Sequence, residues 1–345
     1  MNQSKRSNRA LRVLVASIAA LACSSPASQA QQQTWPPLVP EKGFYEPSPG
    51  WPPAVVNVTR PLPGRGFKLG HVDVDGWRIN YIEGGKGPTT LVAFSGSMGM
   101  APSSAKDILA REYRVIEINP PGWGADELNT RMRDMRDMAP VYLKVLDKLG
   151  VKQFHALGIS MGCTHALWAA KFAPERVLSI TVEGGQCMAL SEGPDTQRAQ
   201  TPRQVEAQKA AQAGGPFNAD YSIWTGWPGY AWAPEMWWQT PSYQSRAMYR
   251  RYVKNFPYNR NVHRDELLAS LKDVKVPVTE MIGDRDEIMT TGVSYYWKKH
   301  MPQAKFVIVA GAIHNIEDSQ PEQFVEIIKA CSIERLVDGL MCPGD

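Results

Sequence analysis

The chain has 345 residues, 43% of them apolar and 21% charged, with a formal net charge of +4. That composition excludes a disordered or fibrous chain and allows a sizeable buried core. Four of the basic residues, Lys5, Arg6, Arg9 and Arg12, lie in a first thirty residues that hold no acid; the remainder balances its 34 acidic side chains and has no global pull towards nucleic acid or anionic membrane.

Those four basic residues flank or precede the apolar run 11–22, and Ser28-Gln29-Ala30 offers small residues around a cleavage point. This pattern predicts a secretory signal peptide over residues 1–30, with an uncleaved anchor as the alternative and no membrane span in the mature chain. Ala20-Leu21-Ala22-Cys23 is a poor match to a lipoprotein signal. Export makes the mature protein secreted or periplasmic and puts Cys163, Cys187, Cys331 and Cys342 in an oxidising compartment. Four cysteines permit three pairings, and short separation favours Cys331 with Cys342. No cysteine or histidine spacing resembles a zinc site.

Residues 31–68 carry Trp35-Pro36-Pro37, Pro47-Ser48-Pro49 and Trp51-Pro52-Pro53, which favour extended backbone over helix. The segment reads as a proline-rich arm lying on the domain or, equally, as a linker; Asn57-Val58-Thr59 fits a glycosylation sequon. From Gly70 the pattern becomes rhythmic. HVDVDGWRINYIEGG alternates as an antiparallel hairpin with Asp75-Gly76 at its turn. TTLVAFSG, YRVIEINPPG, QFHALGIS, VLSITVEGG, VPVTEMIGD and KFVIVAGA follow as buried-strand candidates, with helices expected over 130–149, 162–172 and 321–330. An antiparallel start followed by strands joined through helices predicts an α/β fold, a mostly parallel sheet between helices. About eighty residues separate two consecutive core strands, too many for a loop in a compact domain, so 187–264 is expected to be a helical cap insertion between core segments 69–186 and 265–345.

Gly158-Ile159-Ser160-Met161-Gly162 lies where the strand QFHALGIS must become a helix. Such a turn strains the serine backbone, leaves no room for side chains at the two glycines, and lifts the hydroxyl above the sheet's carboxyl edge. The helix that begins at Met161 aims its amides at the same place, where an oxyanion would form. Ser160 is therefore a candidate nucleophile, and a neutral serine needs a base that is itself oriented by a third group. His155 and His165 read as packed within a strand and a helix, His71 opens the hairpin, and His263 and His300 read as helix-end residues. His314 follows KFVIVAGA on a loop at the carboxyl edge, before a last helix beginning near Ser319 or Gln320. The acid should come from the strand between them; Asp286 has the loop length to reach a histidine, with Asp284 and Glu183 as alternatives.

These residues resemble the α/β-hydrolase superfamily over roughly residues 70–332. The order Ser160, Asp286, His314 is similar to its nucleophile, acid, histidine order. Asn119-Pro120-Pro121-Gly122-Trp123-Gly124 resembles its post-strand D-x-P-G-x-G turn, and Gly283-Asp284-Arg285-Asp286 its G-x-x-D acid loop. The resemblance implies a Ser-His-Asp hydrolase that needs no cofactor, with the amides of Met161 and Ser97 as the oxyanion hole. It also marks a departure: Ser95-Gly96-Ser97-Met98-Gly99 stands where the family commonly has a His-Gly pair, so the anchoring of that loop must be different.

Within the expected cap, DYSIWTGWPGYAWAPEMWWQTPSY concentrates Trp224, Trp227, Trp232, Trp237 and Trp238. The rings serve either as the cap's own core or as a wall for an acyl chain or aromatic substrate. Together these features predict a secreted serine hydrolase acting on an ester-like bond of a small molecule. Lactonase, carbon–carbon bond hydrolase, acyltransferase and perhydrolase chemistry use the same residues, and the fold also serves non-catalytic ligand-binding proteins. Dehalogenase and epoxide hydrolase chemistry is disfavoured, because the enzymes this chain resembles carry aspartate at the position of Ser160.

Overall fold

The computed structural model describes residues 64–184 and 263–333, apart from positions 65, 97–98, 101–102, 122–131, 133 and 287, together with 202 and 205. The expected signal peptide, most of the arm, the tryptophans of the expected cap, Ser97 and Cys342 lie outside the described residues.

Eight strands form one sheet: β1 (Lys68–Val74), β2 (Trp77–Gly84), β3 (Thr90–Phe94), β4 (Arg114–Ile118), β5 (Phe154–Ile159), β6 (Val177–Glu183), β7 (Val278–Gly283) and β8 (Lys305–Val309). Their spatial order is β1-β2-β4-β3-β5-β6-β7-β8. The β1–β2 and β2–β4 pairs are antiparallel, and all the others are parallel. Asp75 and Gly76 at the hairpin tip both take positive φ, 51° and 76°, as a two-residue turn matched to strand twist requires.

Helices cover both faces. Ile116, Ile118, Val92 and Phe94 point to one core, shared with α2 (Ala139–Lys148) and α3 (Gly162–Phe172); Leu91, Ala93 and Val115 point to the other, shared with α1 (Ser104–Leu109) and a later helix over Pro321–Ile328. This alternation is the period of two that a strand buried on both faces demands. Nine consecutive residues of α3, from Gly162 to Ala170, are buried. Cys163 belongs to the first core and Cys331 to the second, on opposite faces of the sheet, so these two cysteines do not pair with each other.

The helix expected from residue 130 begins instead at Ala139, after a 3-10 turn over Met135–Met138 capped by the Asp134 carboxylate. Its expected end at Leu149 holds to within one residue. Among the described residues three further α-helices, α4 (Arg264–Ser270), α5 (Val293–His300) and α6 (Ile316–Ser319), come before α7 (Pro321–Ile328). The stretch after His314 is therefore not loop up to Ser319: a helical turn starts at Ile316, with Asn315 in the N-cap position but making no side-chain capping bond.

Candidate functional site

The carboxyl edge of the parallel strands gathers the candidate residues. Ser160 directly follows β5, Asp286 lies three residues beyond β7, and His314 five beyond β8. Ser160 takes φ 50°, a left-handed conformation that costs a non-glycine residue on the order of 1–3 kcal/mol and survives only where surrounding structure enforces it. The enforcement is visible on both sides of the turn. Ser160 N donates to the Glu183 carbonyl of β6 at 2.8 Å. A Cβ added to Gly162 would stand 1.8 Å from the Phe94 carbonyl oxygen, and one on Gly158 would stand 2.6 Å from Cys163 Cα. Glycine at both positions lets α3 start against the sheet.

His314 joins the other two. Its Nδ1 lies 2.9 Å from Asp286 Oδ2 and its Nε2 3.1 Å from Ser160 Oγ. Asp286 is fully buried, and its second oxygen, Oδ1, accepts from the backbone amides of Ile288 (2.8 Å) and Met289 (2.7 Å). Those two donors occupy Oδ1 and leave Oδ2 facing the imidazole, which favours the tautomer with the proton on Nδ1 and a lone pair on Nε2 towards the serine hydroxyl. Ser160 and His314 retain 7% and 5% of their exposure. Gly184 lies close to the ring: a Cβ there would come within 2.7 Å of His314 Cε1.

The alternative acids make other contacts. Asp284 is exposed and accepts from Gly311 N at 2.8 Å. The Glu183 side chain is fully buried; its Oε1 accepts from Glu317 N at 3.1 Å and its Oε2 has no hydrogen-bond partner among the described residues. The other buried histidines also fall to packing: burial lowers the His165 pKa to about 3, so the ring stays neutral against Tyr142, and His155 Nδ1 pairs with Ser179 Oγ at 2.8 Å. Met161 is buried and caps α3, so its amide lies at the N-terminal end of that helix beside Ser160. Ser97 and the five tryptophans, being outside the described residues, have no placement to set against this.

Sequence patterning does not reveal a second cluster beneath the site. Lys106 of α1 is fully buried, with Nζ 2.8 Å from Glu117 Oε2 and 3.0 Å from Glu317 Oε2. Ser95 Oγ lies 2.9 Å from Glu117 Oε1 and 3.0 Å from the Ile118 carbonyl, and Ser103 Oγ donates to Glu317 Oε2 at 2.9 Å. Burial opposes the Lys106 charge, yet the two glutamates raise its pKa and keep it protonated. Burial likewise raises Glu117, against the pull of Lys106. Glu183 is pushed well above the usual 4.5, first by burial and then by the Glu317 charge.

This last shift has a sign. Below about pH 4.5 both folded and unfolded chains hold the Glu183 proton; above it the unfolded chain releases a proton that the folded one retains, so this group lowers stability as pH rises towards its folded pKa. Glu183→Gln removes that loss while keeping an oxygen for Glu317 N. The urea midpoint of the variant should match the wild type near pH 4 and exceed it by a growing margin as the pH rises above about 4.5; a constant or shrinking difference would contradict a raised Glu183 pKa.

A family model described as the alpha/beta hydrolase fold matches residues 87–319, which is more than half of the chain and includes Ser160, Asp286 and His314. The chain belongs to the α/β-hydrolase fold family. Among relatives of this α/β hydrolase, 3-oxoadipate enol-lactonase 1 of Acinetobacter baylyi is 24% identical over 253 residues, covering 68% of this chain and 86% of the relative. A 2-hydroxy-6-oxononadienedioate/2-hydroxy-6-oxononatrienedioate hydrolase of Paraburkholderia phymatum is 36% identical over 115 residues, which is 31% of this chain and only 40% of that protein's length. In three dimensions the chain is similar to carboxylesterase CesB of Bacillus subtilis, at a TM-score of 0.56 and 19% identity over 79% of this chain and 93% of that one. Likenesses at that identity establish the shared fold. Among the described residues no helix is long and apolar enough to cross a membrane.

Proposed function

We propose that this α/β hydrolase is a serine esterase that works through an acyl-enzyme on a small, apolar substrate, after export. The observation that carries the reading is the His314 ring set between Ser160 Oγ and Asp286 Oδ2 at 3.1 and 2.9 Å. Ser160 Oγ attacks the carbonyl carbon while its proton passes to His314 Nε2, and the carbonyl π pair moves onto oxygen. The Met161 amide, with that of Ser97, stabilises this oxyanion. His314 then gives its proton to the leaving alcohol as the C–O bond breaks, and water attacks the acyl-enzyme by the same proton route. Asp286 holds the imidazolium that forms in each half-reaction. No electron or metal enters these steps, so the residues need no cofactor.

Two features favour an ester-like bond. The lactonase relative's substrate is a cyclic ester by name, and the same attack opens such a ring. The five tryptophans at 224, 227, 232, 237 and 238 supply the apolar wall, each worth about 1.5–3 kcal/mol if its face meets the ligand. The signal peptide over 1–30 and a Cys331–Cys342 bridge belong to the same reading, since an exported chain can keep such a bridge.

The test is a series of p-nitrophenyl esters from acetyl to medium-chain and aromatic acyl groups, with covalent labelling by a fluorophosphonate. kcat/KM is expected to rise along the series by more than tenfold, and alanine at one or two of the five tryptophans to flatten it; alanine at the others lowers the melting temperature alone. Acetate as the best substrate would make the rings structural. Absence of both turnover and labelling would turn the reading to a ligand-binding protein on this fold.

A further inference from the structure

We propose that Lys106, Glu117 and Glu317 are positioning residues: a buried ionic clamp that fixes the oxyanion loop beginning at Ser95 relative to the loop that carries His314. The inference rests on Ser160 being the nucleophile and extends that reading to what holds its partners in place.

The clamp connects elements distant in sequence but adjacent at the site. Glu117 lies within the buried run of β4, paired with Ala93 and next to the Ile118 that pairs with Phe94 of β3, and it accepts from the Ser95 hydroxyl just past β3. Lys106 links Glu117 to Glu317, which follows His314 by three residues. Beyond Ser95, Met100 N donates to Asn119 Oδ1 at 3.3 Å, and Ser104 N at the start of α1 donates to Asp318 Oδ1 at 3.1 Å. Glu317 N in turn donates to Glu183, whose carbonyl holds Ser160 N. A continuous chain of polar contacts therefore runs from the oxyanion loop through α1 and α6 to the nucleophile turn. It also accounts for the departure at Ser95: where the family commonly uses His-Gly, this loop is tied down by a short hydroxyl and a buried glutamate.

Stability alone does not explain such a cluster. Desolvating an ammonium and its carboxylates costs several kcal/mol per ion, and replacing a buried ion set by apolar side chains of similar volume is often neutral or stabilising. What apolar side chains lack is directional contact, and a displacement of about 1 Å at a reacting centre can cost on the order of a hundredfold in rate.

The decisive variant is the triple replacement Lys106→Met, Glu117→Leu, Glu317→Leu in the full chain, assayed on the p-nitrophenyl ester the wild type turns over fastest. The triple variant should melt within a few degrees of wild type, yet lose at least roughly tenfold in kcat with KM changed less than about threefold. Ser95→Ala, which removes one hydroxyl, is expected to lower kcat roughly five- to tenfold. It should weaken a trifluoromethyl ketone inhibitor by the same factor, since that ketone adds Ser160 Oγ to its carbonyl and places an oxyanion in the hole. If the triple variant does not fold, Ser95→Ala decides. Wild-type kcat and inhibitor affinity in the folded variants, or a rate loss that only follows the unfolded fraction, would overturn the clamp. If Ser160→Ala is inactive and these variants are not, the clamp alone fails; if Ser160→Ala remains active, the underlying reading fails first.

Discussion

Ser160→Ala is expected to lower kcat for ester hydrolysis by roughly five to six orders of magnitude while leaving the protein folded. The size follows from the way nucleophile and base act as a unit: once the attacking oxygen is gone, His314 has no proton to take, and only oxyanion stabilisation and binding remain. The fold should survive because alanine accepts the same φ of 50° at about the same cost as serine, and the backbone contacts of the turn, Ser160 N to the Glu183 carbonyl and Cys163 N to the Ser160 carbonyl, do not involve the side chain. Circular dichroism and a melting temperature within about 3 °C of wild type check the second half of the expectation. A folded variant that retains more than about a tenth of wild-type turnover would exclude a mechanism through this residue. Fluorophosphonate labelling should vanish with it, which separates loss of the nucleophile from loss of substrate binding.

Local patterns make the sheet legible in the amino-acid sequence. The inner parallel strands are short apolar runs buried on both faces, with Ile308 of the edge strand β8 left exposed, and the two-residue turn at Asp75-Gly76 announces its own hairpin through two residues suited to positive φ. Ser160 is legible for the same reason, because glycines at 158 and 162 are required where α3 closes on Phe94. The helices are less so. Ser104–Leu109 and Ile316–Ser319 are only six and four residues long, too short for a 3.6-residue period to show, and the latter hides within what reads as the loop after His314. The start of α2 lies nine residues later than the pattern suggests, because the Met135–Met138 turn continues the apolar pattern with different backbone geometry.

The ionic cluster leaves a fainter trace. Glu117 interrupts Arg114-Val115-Ile116-x-Ile118 at a position that alternation assigns to the core, and a charge there needs a buried partner. Nothing local says that the partner is Lys106, or that Glu317 completes the set 211 residues further on. Such contacts depend on the three-dimensional meeting of α1, β4 and α6, not on any spacing along the chain. The acid is an intermediate case: Asp284, Asp286 and Glu183 all stand at the right edge, and only side-chain direction separates them.

That separation predicts the second large effect. Asp286→Asn should lower kcat by roughly four orders of magnitude, whereas Asp284→Asn should change it by less than about threefold. In the asparagine variant the amides of Ile288 and Met289 still require an acceptor, so the side-chain carbonyl is held at the position of Oδ1 and the NH2 group is turned towards His314 Nδ1. A donor there forces Nδ1 to accept, which places the imidazole proton on Nε2, facing Ser160 Oγ, where it can no longer receive the serine proton. The geometry of the turn survives while the tautomer inverts, so KM and melting temperature should move little. At Asp284, by contrast, asparagine still accepts from Gly311 N on an exposed loop and touches neither reacting group. If Asp284→Asn proves the more damaging change, the acid is misassigned. If Asp286→Asn stays active and Glu183→Gln does not, the role passes to Glu183, and the clamp built around Glu317 would then have to be understood as part of the proton path itself.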